Sequence, residues 1–388
     1  MKNIAVLGST GSVGRATLSV IARHADLFRV VALCAHRSTE AVAAQVLEHG
    51  VPVAVIVDPD ALEEVDDLPT AEWRTGAEAV IEIVTDPNVD VVVNAIVGAA
   101  GLEATLSALL AGKRLALANK ESLVAGGPLV MAAAEEGGGE LIPIDSEHSA
   151  ILQCLRGHDS ASVARVVLTA SGGPFRGFTD EELQGVGPEE ALRHPTWKMG
   201  AKVTVDSATL ANKALEVIEA HYLFGVDYDK IDTVVHPQSI VHSFVEFTDG
   251  SVLSQLGFPT MELPILYALS HPGRVADPIL RTFDPVQSSP LTFEEVDRDR
   301  FKLFALGVGA GVRGGTVPAV FNAANEVAVG AFLSREVRFS EMADVVAHAL
   351  EVVPRRNVVT VNDVLQADSA ARHAAREFVS FPRSMAFG

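Results

Sequence analysis

Through residue 147 the chain alternates short apolar, β-branched runs with stretches compatible with helix, and this rhythm restricts the fold more than any other feature. The runs are Ile4–Leu7, Val30–Leu33, Val53–Val57, Val91–Ile96, Leu115–Ala118 and Leu141–Ile144. They are apolar throughout rather than alternating, so both faces must be covered, as in a parallel sheet of βαβ units. After Val163 the pattern changes. Ile240–Phe247 and Val252–Leu256 flank Asp249-Gly250, a hairpin signal, so antiparallel strands are expected between Val163 and Leu256. Pro272, Pro278, Pro285 and Pro290 then punctuate an extended linker. Helical signals dominate beyond about residue 298. Pro318 suits the first turn of a helix through Phe332, Ser340 suits a cap for the next, and Asn362–Phe378 forms a last one.

Of the 388 residues, 48% are hydrophobic and 21% charged, enough core for two or three domains at roughly 100–200 residues each. Acidic residues outnumber basic ones 50 to 30, a formal net charge of −20. Such a balance opposes a nucleic-acid track or an anionic membrane surface, although a local cationic pocket still accommodates a small phosphate. The two cysteines, Cys34 and Cys154, lie far apart outside any Cys-x-x-Cys motif. A disulfide scaffold and a zinc ribbon are thereby disfavoured, and both thiols read as small buried hydrophobes in a reducing compartment. Apolar stretches such as Leu123–Ala134 fall short of the roughly 18–20 residues a membrane span needs. Glu135–Glu140 reads as a glycine-rich turn, and Met1–Leu7 as a strand with no targeting segment ahead of it. A soluble, cytoplasmic protein is expected.

Gly8-Ser9-Thr10-Gly11-Ser12-Val13-Gly14 follows the first apolar run and opens a helix with Val13, Thr17, Val20 and Ile21 on one face. Glycines permit a tight turn and close backbone approach to a pyrophosphate, whose charge the helix N-terminus favours. A plain βα turn has the same outline. The second strand ends in Ala35-His36-Arg37-Ser38, with no acid before Glu40 to take a ribose 2′-hydroxyl. A guanidinium and a hydroxyl suit a 2′-phosphate, which favours NADP(H) unless Arg37 is simply solvated. The fold class expected is α/β. A Rossmann-like dinucleotide-binding domain spans 1–147, a central α/β domain with antiparallel strands 148–271, a linker 272–297 and a helical domain 298–388.

Asp145 and Glu147 stand two apart at the end of the run Leu141–Ile144, and period two aims both carboxylates at one face. Ser207–Glu216 reads as one helix capped by Ser207, with Asn212 and Glu216 four apart on one face and Lys213 adjacent. Each pattern alone also describes a solvated strand end or an exposed polar pair. If Glu216 meets Asp145 and Glu147, three carboxylates without sulfur suit Mg²⁺ or Mn²⁺ and not zinc.

These segments stand in order with Leu117-Ala118-Asn119-Lys120-Glu121-Ser122, Ser171-Gly172-Gly173-Pro174-Phe175, His194-Pro195-Thr196-Trp197-Lys198-Met199-Gly200, His236-Pro237-Gln238-Ser239 and Asn322-Ala323-Ala324-Asn325-Glu326. Singly, His194, His236, Trp197, Lys120 and Lys213 are what any fold carries. As an ordered set the chain closely resembles the 1-deoxy-D-xylulose 5-phosphate reductoisomerase family. That resemblance implies an NADPH- and divalent-metal-dependent enzyme of the non-mevalonate isoprenoid route. It isomerises the sugar phosphate skeleton and reduces the product to 2-C-methyl-D-erythritol 4-phosphate, as a homodimer. By family position Asp145, Glu147 and Glu216 hold the metal, with Lys120 and Ser146 on the same substrate oxygens. Ser171, Ser207, Asn212 and Lys213 take the phosphate, and His194 and Trp197 form a flap. Thr10, Gly11, Ser12, Val13, the turn His36-Arg37-Ser38, Asn119, Glu121 and Gly200 contact NADPH. Lys120, Glu147, His194 and Trp197 make up the catalytic set. His194, Glu147 and Glu216 also belong to the substrate site.

Thr196 stands where the family often has Asn, and His36 where it often has Gly. Thr260 and Glu262 replace an Asp and an Arg, so any ion pair formed there should be lost or rewired. Competing readings are another Rossmann reductase, such as a semialdehyde dehydrogenase working through a cysteine nucleophile, and a non-catalytic NADPH-sensing regulator.

Overall fold

In the computed structural model, which describes residues 1–197 and 199–380, the apolar runs form a wholly parallel, seven-stranded sheet. Lys198 of the His194–Gly200 motif and the last residues of the expected 298–388 region lie outside the described residues. The strands are β1 (Lys2–Leu7), β2 (Phe28–Ala35), β3 (Val53–Ile56), β4 (Glu72–Thr75), β5 (Val91–Asn94), β6 (Arg114–Leu117) and β7 (Glu140–Pro143). Their order is β4-β3-β2-β1-β5-β6-β7, so the chain reverses its direction of travel between β1 and β5, where Ile4 pairs with Val91 and Leu7 with Asn94. A crevice at the carboxyl ends of these two strands is where doubly wound sheets bind ligands. Ile4, Ala5, Val6 and Leu7 are all fully buried, as an uninterrupted apolar run in a covered sheet requires. Strand β4, Glu-Trp-Arg-Thr, escaped the sequence reading because an edge strand needs no apolar run.

The chain forms two units, and neither is continuous in sequence. The first comprises Met1–Ser122, Pro128–Leu152 and Thr260–Thr282. The helix Glu262–Ser270 therefore belongs to it, although its position suggested the end of the central region. The reason is apolar surface: Ile265, Leu266, Ala268 and Leu269 join the core of Ile4, Val6 and Ile142. Lys2 Nζ donates to the Leu269 carbonyl at 2.8 Å, and Arg114 to that of His271 at 2.6 Å. Glu262 pairs with Arg23 at 2.9 Å, and Thr260 Oγ1 accepts from the Glu262 N–H. Arg23 also binds the buried Asp277 at 2.8 Å, so this segment is pinned at both ends. Leu123–Ala134 lies in the helix Lys120–Gly137, which departs from helical geometry at Gly126 ahead of Pro128. The turn expected at Glu135–Glu140 shortens to Gly138 and Gly139. Among the described residues no helix is long and apolar enough to cross a membrane.

The second unit holds Leu123–Gly127, Gln153–Pro259 and the chain from Phe283 onward. Its sheet contains β8 (Val163–Ala170), β9 (Ile231–Val235), β10 (Val241–Phe247), β11 (Val252–Leu256) and β12 (Glu294–Glu295), ordered β11-β10-β8-β9-β12. The hairpin β10–β11 turns at Asp249-Gly250 as expected, and β8 pairs antiparallel with β10. However, β8 and β9 are parallel, so the sheet is mixed rather than antiparallel. The long helical crossover from residue 171 to 230 makes that pairing possible, since a parallel pair needs a connection of a dozen residues or more. The expected linker ends by adding β12 to β9. Helices Lys302–Arg313, Val317–Leu333, Met342–Val352 and Val361–Ser380 follow, with Pro318 in a first turn. Ser340 sits inside the 3₁₀ turn Phe339–Glu341 rather than capping a helix.

Candidate functional site

In the first unit the loop after β1 is shaped by contacts only glycine permits. Gly8 has φ +72°, and a Cβ there would meet the Ala95 carbonyl oxygen at 2.5 Å. A Cβ on Gly14 would meet the Gly8 oxygen at 2.3 Å, so helix and turn touch backbone to backbone. The helix Ser12–Arg23 starts at Gly11 with no side-chain cap, leaving its first-turn N–H groups for a ligand. Thr10, Gly11, Ser12 and Val13 are exposed or half-buried at this mouth. His36, Arg37 and Ser38 follow β2 and are exposed. The Arg37 guanidinium pairs with Asp58, which follows β3, and approaches Glu64 at 3.8 Å. Asp58 was not anticipated; it shares its carboxylate between Arg37 and the Asp60 N–H, at 3.1 Å from the latter.

Asn119 is buried and caps the helix Lys120–Gly137, accepting from the Ser122 N–H at 2.9 Å. Its amide nitrogen donates to the carbonyls of Ile96 (2.6 Å) and Gly98 (2.9 Å), fastening the loop after β5. Its backbone N–H is bonded as well, donating to the Asn94 carbonyl at 3.1 Å, so Asn119 ties the ends of β5 and β6 together. Glu121, also buried, accepts from the same amide at 3.2 Å.

Asp145 and Glu147 do not share a strand. Strand β7 ends at Pro143, and Glu147 already lies in the first turn of the helix Ser146–Leu155. The Asp145 carbonyl accepts from the Ser149 N–H at 2.8 Å, an i to i+4 bond that starts the helix and removes the period-two argument. Lys120 Nζ pairs with the Asp145 carboxylate, and His148 Nδ1 lies 3.6 Å from it. Ser146 Oγ donates to Glu147 Oε2 at 2.6 Å. This edge of the first unit is a set of hard oxygen donors beside one ammonium.

The second unit gathers polar side chains from separate segments. Ser171 follows β8 and is carried by a turn with Gly172 at φ +83° and Gly173 at φ +64°. A Cβ on Gly173 would meet the Ser207 carbonyl oxygen at 2.7 Å, so glycine lets this turn rest on the helix Ala201–Thr209. His194 Nε2 lies 3.1 Å from both Ser171 Oγ and Ser207 Oγ. Its Nδ1 accepts from the Thr196 and Trp197 N–H groups at 3.1 and 2.9 Å. Two donors on Nδ1 require the proton on Nε2, and burial lowers the ring's pKa from its ordinary value, so the imidazole is neutral. Ser207 does not cap the helix that carries Glu216. It lies within Ala201–Thr209, whose cap position is the exposed Gly200. Leu210, at φ +59°, breaks the chain into a second helix, Ala211–Phe224. On that helix Asn212 Nδ2 and Lys213 Nζ each donate to one carboxylate oxygen of Glu216. Lys213 is 5% and Glu216 1% exposed, so the pair is shielded from water.

Three further residues stabilise this arrangement. Asn325, on the helix Val317–Leu333, donates to Asp206 Oδ1 at 2.7 Å, and Lys202 Nζ lies 3.0 Å from Asp206 Oδ2. Asp206 is buried and immediately precedes Ser207, so this bond fixes the rotation of the helix that presents the serine. At 119 residues of separation, no local signal links them.

Comparison with known proteins supplies the relationship. The 1-deoxy-D-xylulose 5-phosphate reductoisomerase family matches residues 4–127, its C-terminal domain 141–224, and the DXP reductoisomerase C-terminal domain 256–374. The reductoisomerase of Acaryochloris marina is 46% identical over 379 residues, covering 96% of this chain and 94% of that protein. That of Burkholderia pseudomallei is 47% identical over 386 residues, covering 97% and 96%. The Zymomonas mobilis reductoisomerase solved with NADPH superposes with a TM-score of 0.91 at 40% identity, covering 98% of this chain and all of that one. A reductoisomerase bound to NADPH, fosmidomycin and magnesium gives a TM-score of 0.92 at 38% identity, covering 98% of each. With such agreement over nearly its whole length, the chain belongs to the 1-deoxy-D-xylulose 5-phosphate reductoisomerase family.

Proposed function

We propose that this chain converts 1-deoxy-D-xylulose 5-phosphate to 2-C-methyl-D-erythritol 4-phosphate, using NADPH and a divalent cation, in non-mevalonate isoprenoid synthesis. The observation that carries the reading is the second unit's cluster: two serine hydroxyls on one neutral histidine, beside an amide and an ammonium that bind a buried carboxylate. Hydroxyls, an N–H and one cation are the donors a phosphate monoester needs. The loop Gly8–Gly14 fits a dinucleotide, because backbone packs where any Cβ would intrude and an uncapped helix start faces the mouth.

The proposed metal ligands are Asp145, Glu147 and Glu216, whose carboxylates suit Mg²⁺ or Mn²⁺. When bound, the ion supplies Lewis-acid polarisation of the substrate's carbonyl and hydroxyl oxygens, and NADPH supplies the hydride. In this reading Lys120 and Ser146 bind those same oxygens, while Ser171, Ser207, Asn212 and Lys213 hold the phosphate. His194 donates to the phosphate from Nε2–H, and with Trp197 it covers the substrate against water. Thr10–Val13, His36–Ser38, Asn119, Glu121 and Gly200 are the proposed NADPH contacts. The regional roles follow: NADPH binding in 1–147, catalysis in 148–271, a linker in 272–297 and helical support in 298–388. A cytoplasmic homodimer completes the proposal, with light scattering as its check.

A cysteine-based dehydrogenase is disfavoured on chemistry. Burial pushes the Cys34 thiol up to about 12, and Cys154 is buried as well. The decisive assay is NADPH oxidation with 1-deoxy-D-xylulose 5-phosphate. Turnover that EDTA abolishes and Mg²⁺ or Mn²⁺ restores is expected; NADPH binding without turnover would favour a sensor, and EDTA-resistant turnover would remove the metal from the reaction.

A further inference from the structure

Gln45 places a polar side chain on the buried face of a helix. The helix Thr39–His49 turns Val42, Ala43 and Val46 inward, and Gln45 shares that face at 9% exposure. An amide is costly to bury there unless both of its ends are bonded. One residue of the glycine-rich loop, 36 positions away, bonds both: Gln45 Nε2 donates to the Ser9 carbonyl at 3.0 Å, and Ser9 Oγ donates to Gln45 Oε1 at 2.7 Å. A carbonyl can only accept, so this pairing fixes which way round the amide lies.

Ser9 is fully buried, and its N–H donates to the Cys34 carbonyl at 3.0 Å. Its N–H, hydroxyl and carbonyl are thus all engaged within the protein, so this serine anchors the loop. The Gly11 N–H donates to the Gly8 carbonyl at 3.0 Å, which makes Ser9 and Thr10 the two corner residues of a tight turn. The Ser9 carbonyl and the Thr10 N–H belong to one planar trans peptide and point opposite ways. Whatever holds the carbonyl inward therefore aims the N–H outward, at the mouth where Thr10, Gly11, Ser12 and Val13 are exposed or half-buried. We infer that Gln45 is a positioning residue for the dinucleotide: by gripping Ser9 it sets the peptide plane that presents the Thr10 N–H to the pyrophosphate. The inference rests on the reading of Gly8–Gly14 as the pyrophosphate loop. The helix that carries Gln45 also starts directly after His36-Arg37-Ser38, so one element places both the loop and the proposed 2′-phosphate turn.

Gln45→Met keeps the length of the side chain and deletes both bonds. The Ser9 carbonyl and hydroxyl, buried without their partner, then favour another orientation of the peptide. Fluorescence titration should show NADPH binding about tenfold more weakly, and NADH weakened by the same factor, because the pyrophosphate is common to both. KM for NADPH should rise in step, while kcat at saturating NADPH and the KM for 1-deoxy-D-xylulose 5-phosphate stay near wild type. A merely structural role would lower the number of sites titrated and leave their affinity unchanged, and that result would overturn the inference.

Ser9→Ala is the milder variant. It removes one hydroxyl and leaves the carbonyl bond, so it should fold as wild type and weaken both dinucleotides about two- to threefold. Added to Gln45→Met it should weaken binding no further, since the hydroxyl then has no partner to lose. Losses that multiply in the double variant would overturn the inference, because Gln45 would then act through something other than Ser9. Gly14→Ala separates the layers. If that variant binds NADPH as wild type does, the loop reading itself has failed and the role of Gln45 falls with it. If it weakens NADPH while Gln45→Met and Ser9→Ala do not, the loop stands and only the role of Gln45 is overturned.

Discussion

The first unit offers a ligand mainly backbone: a glycine turn, a helix start without a cap, and strand ends at the point where the sheet reverses. The second offers side chains delivered from a turn, two successive helices and the loop at His194, each held by the next. The first kind of site fails when an atom is added, the second when one is removed. The largest effect should therefore come from Glu216→Gln, which keeps the shape and deletes a charge. Loss of an ion's Lewis-acid contribution is worth several kcal/mol, so turnover should fall about a thousandfold or more. Circular dichroism and thermal unfolding should show an intact fold, and NADPH should bind as before. Wild-type turnover in this variant would remove Glu216 from the metal set.

Gly14→Ala is the matching test of the first unit. Its methyl would sit 2.3 Å from the Gly8 oxygen, so turn and helix must separate. NADPH affinity, followed by fluorescence titration, should drop by about ten- to a hundredfold, with some loss of stability. Phosphate binding to the second unit should be unchanged. An equal loss of both ligands would break the contrast between the units.

The difference between the units also explains what the sequence could show. Gly8–Gly14 is legible because turn, helix start and strand are neighbours in the chain, and β1 announces itself by four buried apolar residues in a row. The hairpin β10–β11 is legible for the same reason. Ser207 fails as the expected cap because the break at Leu210 uses a positive φ at leucine, a conformation ordinarily marked by Gly or Asn. Glu147 reads as a strand end because nothing in Pro143-Ile144-Asp145-Ser146 reveals that the helix begins so soon. The Asp206–Asn325 bond, the return of Glu262–Ser270 to the first unit and the parallel pairing of β8 with β9 are products of tertiary packing. The resemblance to a family carries roles to Glu147 and Ser207 residue by residue, but it is silent on these three consequences of packing.

Arg37→Ala refines the description of the first unit, because here a side chain supplements backbone. Arg37 is over half exposed and shared with Asp58, so its contribution is screened. NADPH should weaken about tenfold while NADH changes little, and Asp58→Asn should strengthen NADPH modestly by releasing the guanidinium. Equal losses for both dinucleotides in Arg37→Ala would sink the 2′-phosphate assignment.

The smallest effect lies in the response to acid, and it too should divide the molecule. His194 is neutral with its proton on Nε2. His236 is neutral with its proton on Nδ1, donated to the Thr292 carbonyl at 2.9 Å, while its Nε2 accepts from the Ile240 N–H at 3.1 Å. Burial holds both rings below the ordinary histidine value of 6.5, against the Thr292 bond in the second case. The unfolded chain thus takes up protons before these folded rings do. The stability they contribute is present above about pH 6.5 and is lost as pH falls through their lowered folded values. In the first unit, Asp277 is pushed up by burial but pulled further down by Arg23, the Ile279 N–H and His24, to below its ordinary 3.8. Its contribution persists until pH falls through that still lower value. Between about pH 6 and pH 4, hydrogen exchange corrected for intrinsic rates should accelerate in peptides around His194 and Ile240 before those around Arg23 and Asp277. Imidazole ¹⁵N shifts at neutral pH should show opposite tautomers for His194 and His236. Matching tautomers, or a first unit that loosens first, would mean that side-chain polarity does not set the second unit's sensitivity to acid.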